Sequence, residues 1–501
     1  MGSTTNLRTI GAVLLTLTLG MLSGCQGIRN EPPTGGGSSG GSGSLETSVN
    51  HVVFLVQENR SMDHYFGALR QYWKDFGYPD QAFDGLPQFP TSSPSGAPPT
   101  NLGCDPSLPY PSDCKMTQNS QPIASFHLLT ECTENPSPSW NEGHISNNYF
   151  DPTSGTAKLD GFVFSAAHDA RNMQPPLTDV AGARAMGYYD GSDLNYYYFL
   201  ASNFGTSDRW FAPVNTRSPA NHMYLLGATS QGRVYPLGDN ETITAPPIFQ
   251  SLQQAGVTWK IYVHPDATGC SSPTCLMNLS YVRLFAYAST ILSQFPQNIV
   301  SDTQFITDAQ SGSLPQVAFI ETPSNVGLDE HPSDFDVDPP CCSIQAGAQW
   351  VSTLIGALMN GPSWKDSVFI LTYDEAGGFY DHVAPAPTVN PDGIKPNDLQ
   401  PGDVCTTSSG PNCDFTYTGF RVPLLVISPF AKKNFVSHSP ADYTAILKFI
   451  ETRFGLPSLT ARDAAQIDMT EFFDFGNPPW ITPPAPPAQS TGGACYLDHL
   501  P

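Results

Sequence analysis

Two acidic stretches in the sequence have the makings of a reactive site. After the apolar run His51-Val52-Val53-Phe54-Leu55-Val56 come Gln57, Glu58 and Asn59. After Val368-Phe369-Ile370-Leu371-Thr372-Tyr373 come Asp374 and Glu375, then Gly377-Gly378, Asp381 and His382. Three carboxylates and an amide oxygen at the tips of apolar strands make an oxygen-rich site suited to a hard divalent cation. An acidic pair after a strand also commonly caps the next helix, and one pair alone reads that way. Two such pairs, the second followed by Gly-Gly and a histidine, favour a metal.

These residues need elements to carry them. "QVAFIETPSNVGLDEH" runs from an apolar strand at 316–320 to His331, and "SVFILTYDEAGGFYDH" from a strand at 367–373 to His382. "VPLLVISPF" reads as another strand and "TWKIYV" at 258–263 as a weaker one. Helical spacing appears at Trp350, Leu354 and Leu358, and again at Tyr443, Ile446, Leu447 and Ile450. Buried strands alternating with amphipathic helices predict a parallel sheet covered on both faces. Ligands bind beyond the carboxyl ends of such strands, where Glu58-Asn59 and Asp374-Glu375 fall. A further acidic run, Asp334-x-Asp336-x-Asp338, imitates the start of a calcium loop. It has Pro339 where the loop needs glycine and Gln345 where it needs glutamate.

The chain has 501 residues, enough for about three domains or one large α/β domain with insertions. Its net charge of −23, with 22 Lys and Arg, argues against a nucleic-acid partner. Gly (43) and Pro (48) are abundant, which calls for long, turn-rich connections. Residues 1–24 read as a lipoprotein signal peptide, ending in the lipobox-like Leu22-Ser23-Gly24-Cys25, with Cys25 the lipidation site. Residues 25–47 read as a Gly/Ser tether, 48–460 as the catalytic domain and 461–501 as a Pro-rich extension. The G-x-S-x-G match at 36–40 has no strand before it and no helix after it, so it is incidental. Ten cysteines remain besides Cys25, an even number suited to an oxidising compartment. Cys104/Cys114, Cys270/Cys275 and Cys405/Cys413 are close enough to staple surface loops. The pairing of Cys132, Cys341, Cys342 and Cys495 is open.

"ENRSMDHYFG" and "TYDEAGGFYDHV" resemble the phosphoesterase family of bacterial and plant non-specific phospholipases C and related acid phosphatases. The resemblance extends over most of residues 49–458, through "YYDGSDLNYYYFLASNF", "RSPANHMYLLGATS", "GFRVPLLVISPFAKKNFVSH" and "FIETRFGL". It implies an alkaline-phosphatase-like three-layer α/β/α sandwich with a mostly parallel central sheet and disulfide-stapled insertions. It implies a metal held by Glu58, Asn59, Asp374 and Glu375, and a nucleophile at Ser218 in Ser218-Pro219-Ala220-Asn221-His222, with Thr216 the alternative. His331 and His382 match catalytic positions that contact the phosphoryl oxygens or protonate the leaving group; Asn221 and His222 fall in the substrate-binding stretch. Many family members have a phosphate-binding histidine before the tryptophan of the middle segment. This chain has Ser139 before Trp140, and His144 is the nearest substitute.

The expectation is therefore an exported, lipid-anchored, metal-dependent hydrolase of phosphate esters working through a phosphoserine. The first choice of substrate is a phospholipid, cleaved as by a phospholipase C. The alternative is a small phosphomonoester, cleaved as by an acid phosphatase; a non-catalytic surface-binding lipoprotein comes last. The expected cofactor is one divalent ion. Ca2+ is the first choice because every proposed ligand is oxygen, with Mg2+, Mn2+ and Zn2+ behind it. The expected location is the bacterial cell envelope, outer membrane or periplasm-facing.

Overall fold

The computed structural model describes residues 43–89, 96–266, 268–334 and 342–500. The signal peptide, Cys25, most of the tether and Cys341 lie outside the described residues.

Eight strands form the central sheet: β1 (His51–Gln57), β2 (Gly205–Ser207), β3 (Trp259–Val263), β4 (Ile299–Ser301), β5 (Val317–Ile320), β6 (Ser367–Tyr373), β7 (Leu424–Ile427) and β8 (Phe435–Ser437). Their spatial order is β8-β2-β7-β6-β1-β5-β3-β4. Neighbours run parallel except at β7, which is antiparallel to both β6 and β2. The protein is thus a mixed α/β fold with a large, mostly parallel sheet. All seven residues of β6 are buried, as are six of the seven in β1. Alternate residues on a strand face opposite ways, so both faces of the sheet are covered. This explains the unbroken apolar runs, which a half-exposed sheet would not show.

The register sets the site. Leu55 of β1 pairs with Ile320 of β5 and Leu371 of β6, and Gln57 pairs with Tyr373. The next residues along, Glu58 and Asp374, therefore emerge side by side at the carboxyl edge, with Asp374 N donating to Gln57 O at 2.9 Å. Six helices matter around this edge: α1 (Met62–Phe66), α2 (Trp140–Asn147), α3 (Asn195–Asn203), α4 (Ser218–Gly227), α5 (Ile344–Met359) and α6 (Ala445–Phe454). The periodicities at 350–358 and 443–450 fall in α5 and at the start of α6, with Val351, Leu354, Leu358, Ile446, Leu447 and Ile450 buried.

The three local disulfides form as their spacing suggests, and Cys132 pairs with Cys495 across 363 residues. Cys342 is buried near that bridge. The bridge ties the Pro-rich extension to the domain, as does Trp364 Nε1 donating to Trp480 O at 2.9 Å. Disulfides of this number suit an oxidising compartment. Among the described residues, no helix is long and apolar enough to cross a membrane.

Candidate active site

Ser218 opens α4 with Pro219 behind it, the position where a proline costs a helix nothing. The preceding loop is pinned by Asn221: its Oδ1 accepts from Val214 N at 3.2 Å and its Nδ2 donates to Thr216 O at 2.8 Å. Thr216 Oγ1 donates to Val234 O at 2.8 Å, so that hydroxyl is committed elsewhere. Ser218 Oγ lies 3.0 Å from Glu58 Oε2 and 3.1 Å from Asn59 Oδ1, and its one proton is shared between them. One helical turn later, on the same face, His222 Nε2 lies 3.3 Å from Glu58 Oε1 and 3.9 Å from Asp374 Oδ2. Tyr281 stacks on the imidazole with ring centroids 3.7 Å apart and fixes its plane.

Asn59 has φ of 60°, a left-handed conformation that asparagine tolerates. It turns its backbone N to Asp374 Oδ1 at 2.8 Å, and Glu375 N reaches the same oxygen at 2.8 Å. Gly377 makes this closure fit: at φ of 68° a Cβ there would fall 2.2 Å from Asn59 O. Gly377 N also donates to Glu375 Oε2 at 2.7 Å. Behind the edge, Glu330 accepts hydrogen bonds from Tyr65, Tyr197 and Tyr373 hydroxyls at 2.6–2.7 Å and from Gln57 Nε2 at 3.2 Å. That clamp ties the ends of β1 and β6 to the segment carrying His331.

Charge in the cluster is not balanced. Glu58, Asp374, Glu375 and His222 are all buried, and Asp374 Oδ2, Glu375 Oε1 and His222 Nδ1 have no hydrogen-bond partner. Burial first, with Glu58 adding repulsion, pushes the Asp374 pKa up to about 8. Burial raises Glu58 to about 7 against the pull of His331, and lifts Glu375 well above the carboxylate range. Burial also lowers His222, keeping it neutral and able to donate a lone pair. Ligand atoms of Glu58, His222 and Asp374 lie within 4.8 Å of one another. Buried carboxylates with unused oxygens and a neutral imidazole fit a divalent cation, which supplies the missing counter-charge.

The sequence-based candidates separate into two groups. Ser218, Glu58, Asn59 and Asp374 come together, Glu375 adjoins them, and His222 joins the carboxylates instead of standing apart as a substrate group. His331 also belongs here, with Nε2 2.9 Å from Asn59 Nδ2 and Nδ1 2.5 Å from Pro332 O. Burial opposes its charge, but Asp329, Asp334 and Glu58 outweigh that and hold its pKa above the usual value. His382 is engaged elsewhere: Nδ1 lies 2.7 Å from Asp63 Oδ2 and Nε2 lies 3.0 Å from Asp84 Oδ1. His144 is buried against Trp140, its nitrogens facing Trp140 O at 2.6 Å and Asn412 O at 3.0 Å. It presents no ring nitrogen to the Ser218 cluster. Asn221 orders the loop before Ser218.

Sequence reasoning passed over Glu321 and Tyr281. Glu321 stands at the tip of β5 as Glu58 does at the tip of β1, and that repeated strand-end signal marked it. Its Oε2 accepts from Ser280 Oγ at 2.5 Å and Tyr281 N at 2.8 Å, seating the ring that packs on His222.

A model of the phosphoesterase family matches residues 49–457. The chain belongs to the phosphoesterase family. Phosphoesterase membership makes it a hydrolase of phosphoester bonds. It is 30% identical over 471 residues to Phospholipase C A of Mycobacterium tuberculosis, covering 87% of this chain and 79% of that one. It is 31% identical over 462 residues to Phospholipase C B of the same organism, covering 86% and 79%. Non-specific phospholipase C4 of Arabidopsis thaliana is 30% identical over 453 residues, covering 85% and 72%. Among solved structures, an alkaline phosphatase superfamily protein from Vibrio parahaemolyticus aligns at 12% identity, covering 55% of this chain and 64% of that chain, with a TM-score of 0.33.

Proposed function

We propose that this phosphoesterase is a phospholipase C in which Ser218 attacks the phosphoryl group and Glu58, Asn59, Asp374, Glu375 and His222 hold one divalent cation. The observation that carries the reading is Ser218 Oγ at the amino end of α4, within hydrogen-bond reach of Glu58 and Asn59. A bound cation at such a site lowers the pKa of the attacking hydroxyl and neutralises phosphoryl oxygens. Glu58 Oε2, 3.0 Å from Ser218 Oγ, is placed to take the serine proton. The helix amino terminus favours the negative charge that gathers there. His331, which its carboxylate neighbours bias towards the imidazolium, donates a proton to the departing alkoxide once substrate displaces its Asn59 contact. Water then attacks the phosphoserine, releasing the phosphorylated headgroup and restoring Ser218.

Phospholipid is preferred over a small monoester because the similar proteins of both bacterial and plant origin are named phospholipases C. His222 also changes the expected ion. An imidazole among the oxygens makes Mn2+ or Zn2+ a better match than the Ca2+ inferred from an all-oxygen set. Ser218→Ala should keep the fold and the metal yet lose turnover of phosphatidylcholine and p-nitrophenyl phosphate by at least about a thousandfold. Turnover within a few-fold of wild type would move the nucleophile elsewhere. Export with lipid on Cys25 rests on the lipobox-like stretch; the mass of the mature amino terminus tests it, and an unmodified terminus would refute it.

A further inference from the structure

Away from the carboxylate cluster, the helix Leu69–Phe76 and the turn at 190–192 enclose a pocket of about 210 Å³. It shares no lining residue with the Ser218 site. Tyr72, Phe76 and Phe89 supply aromatic walls, and Asp75 and Asp190 stand at its margin. Tyr72 and Phe76, one turn apart on the helix, pack with ring centroids 4.3 Å apart. Gly191 makes room for the Tyr72 ring, since a Cβ there would meet Tyr72 Cδ2 at 2.4 Å. Phe76 is 67% exposed, the second-highest exposure among the large hydrophobic side chains of the described residues.

Aromatic faces with a carboxylate beside them attract cations whose charge is spread over methyl groups, which shed water easily. His127 Nε2 sits 2.8 Å from Asp193 Oδ2 but 3.9 Å from Asp190 Oδ1, which accepts from Ser192 N at 2.7 Å and Ser192 Oγ at 2.6 Å. Asp75 Oδ1 accepts from a neutral amide, Gln71 Nε2, at 2.8 Å. The charge of the whole chain narrows the choice of surface. At −23 it is repelled by anionic lipid, whereas a zwitterionic bilayer presents its ammonium groups outermost. We propose that this pocket binds the quaternary ammonium headgroup of a zwitterionic phospholipid and docks the enzyme on such a membrane, apart from the catalytic site. The role in docking rests on the phospholipid reading above; the binding chemistry does not.

The test uses the full chain carrying Cys25→Ser, so that no lipid on the amino terminus masks the pocket. Phe76→Ala combined with Asp75→Asn alters two exposed side chains. Binding to phosphatidylcholine vesicles, and hydrolysis of that lipid in vesicles, should fall about five- to tenfold. Turnover of p-nitrophenyl phosphate should not change. Tetramethylammonium should displace the parent protein from the vesicles and have little effect on the variant. Equal vesicle binding by parent and variant, or insensitivity of the parent to tetramethylammonium, would overturn the proposal. If the parent cleaves p-nitrophenyl phosphate but no phospholipid, the phospholipase reading fails, while the vesicle-binding arm still decides the pocket.

Discussion

Two buried charge clusters flank the segment from Asp374 to His382, and they are built on opposite plans. At the first, Glu58, Asp374 and Glu375 crowd together around His222, with His331 beside Asn59, and carboxylate oxygens are left unpartnered. At the second, Arg421 Nε donates to Asp381 Oδ1 at 2.9 Å and Nη2 to Asp63 Oδ1 at 3.0 Å, while His382 bridges Asp63 and Asp84. The difference shows between Asp374 and Asp63, although burial still raises Asp381 to about 6 beside Arg421. Asp374 is driven up to about 8 by burial and by Glu58, whereas Asp63, equally buried, is held below its ordinary value by His382 and Arg421. Burying charge is costly unless it is paired. The second cluster is complete within the protein and holds the loop in place. The first is left with unpartnered oxygens, which the proposed cation would fill.

The largest expected effect comes from the incomplete cluster. Asp374→Asn removes a proposed ligand and the repulsion between Asp374 and Glu58, so the protein should fold at least as stably without metal. Phosphoester turnover should nevertheless drop by at least about a thousandfold. Loss of folding in that variant, judged by thermal melting, would mean that the carboxylate is structural and would break the contrast.

The complete cluster should answer in stability. Burial works against the charged His382, but Asp63 and Asp84 prevail and raise its pKa from 6.5 to about 10. A raised folded-state pKa stabilises fully below the unfolded value and is lost as pH climbs through the folded one. His382→Gln should therefore cost on the order of 2–4 kcal/mol at pH 6, with the difference shrinking towards pH 10. Denaturant titrations across that range check it, and a cost that does not vary with pH would remove the ion pair from the account. Asp84 is half-buried, so Asp84→Asn should cost less, about 1 kcal/mol or below.

Much of the first cluster was legible in the sequence. Glu58 and Asp374 follow unbroken apolar runs, and parallel strands in register bring consecutive tips together. Glu321 carried the same mark and was overlooked because no second acid follows it. His222 was harder: its place depends on the phase of α4 relative to Ser218 and on how that helix lies against β1 and β6. His382 stands in a motif that resembles catalytic ones, but its surroundings come from Asp63 and Asp84, far away in sequence. His144 failed as a stand-in for the missing histidine because packing on Trp140 turns its ring into main-chain carbonyls. The Cys132–Cys495 bridge spans the domain, a separation from which spacing offers no guidance.

The unpaired carboxylates are proposed to hold a cation. Elemental analysis of the purified full chain addresses it directly, with wild type and Asp374→Asn prepared side by side. About one divalent ion per wild-type chain is expected, most of it missing from the variant, with wild-type turnover vanishing on exhaustive chelation and returning when metal is restored. A metal-free wild-type protein that still hydrolyses phosphate esters at its full rate would contradict it.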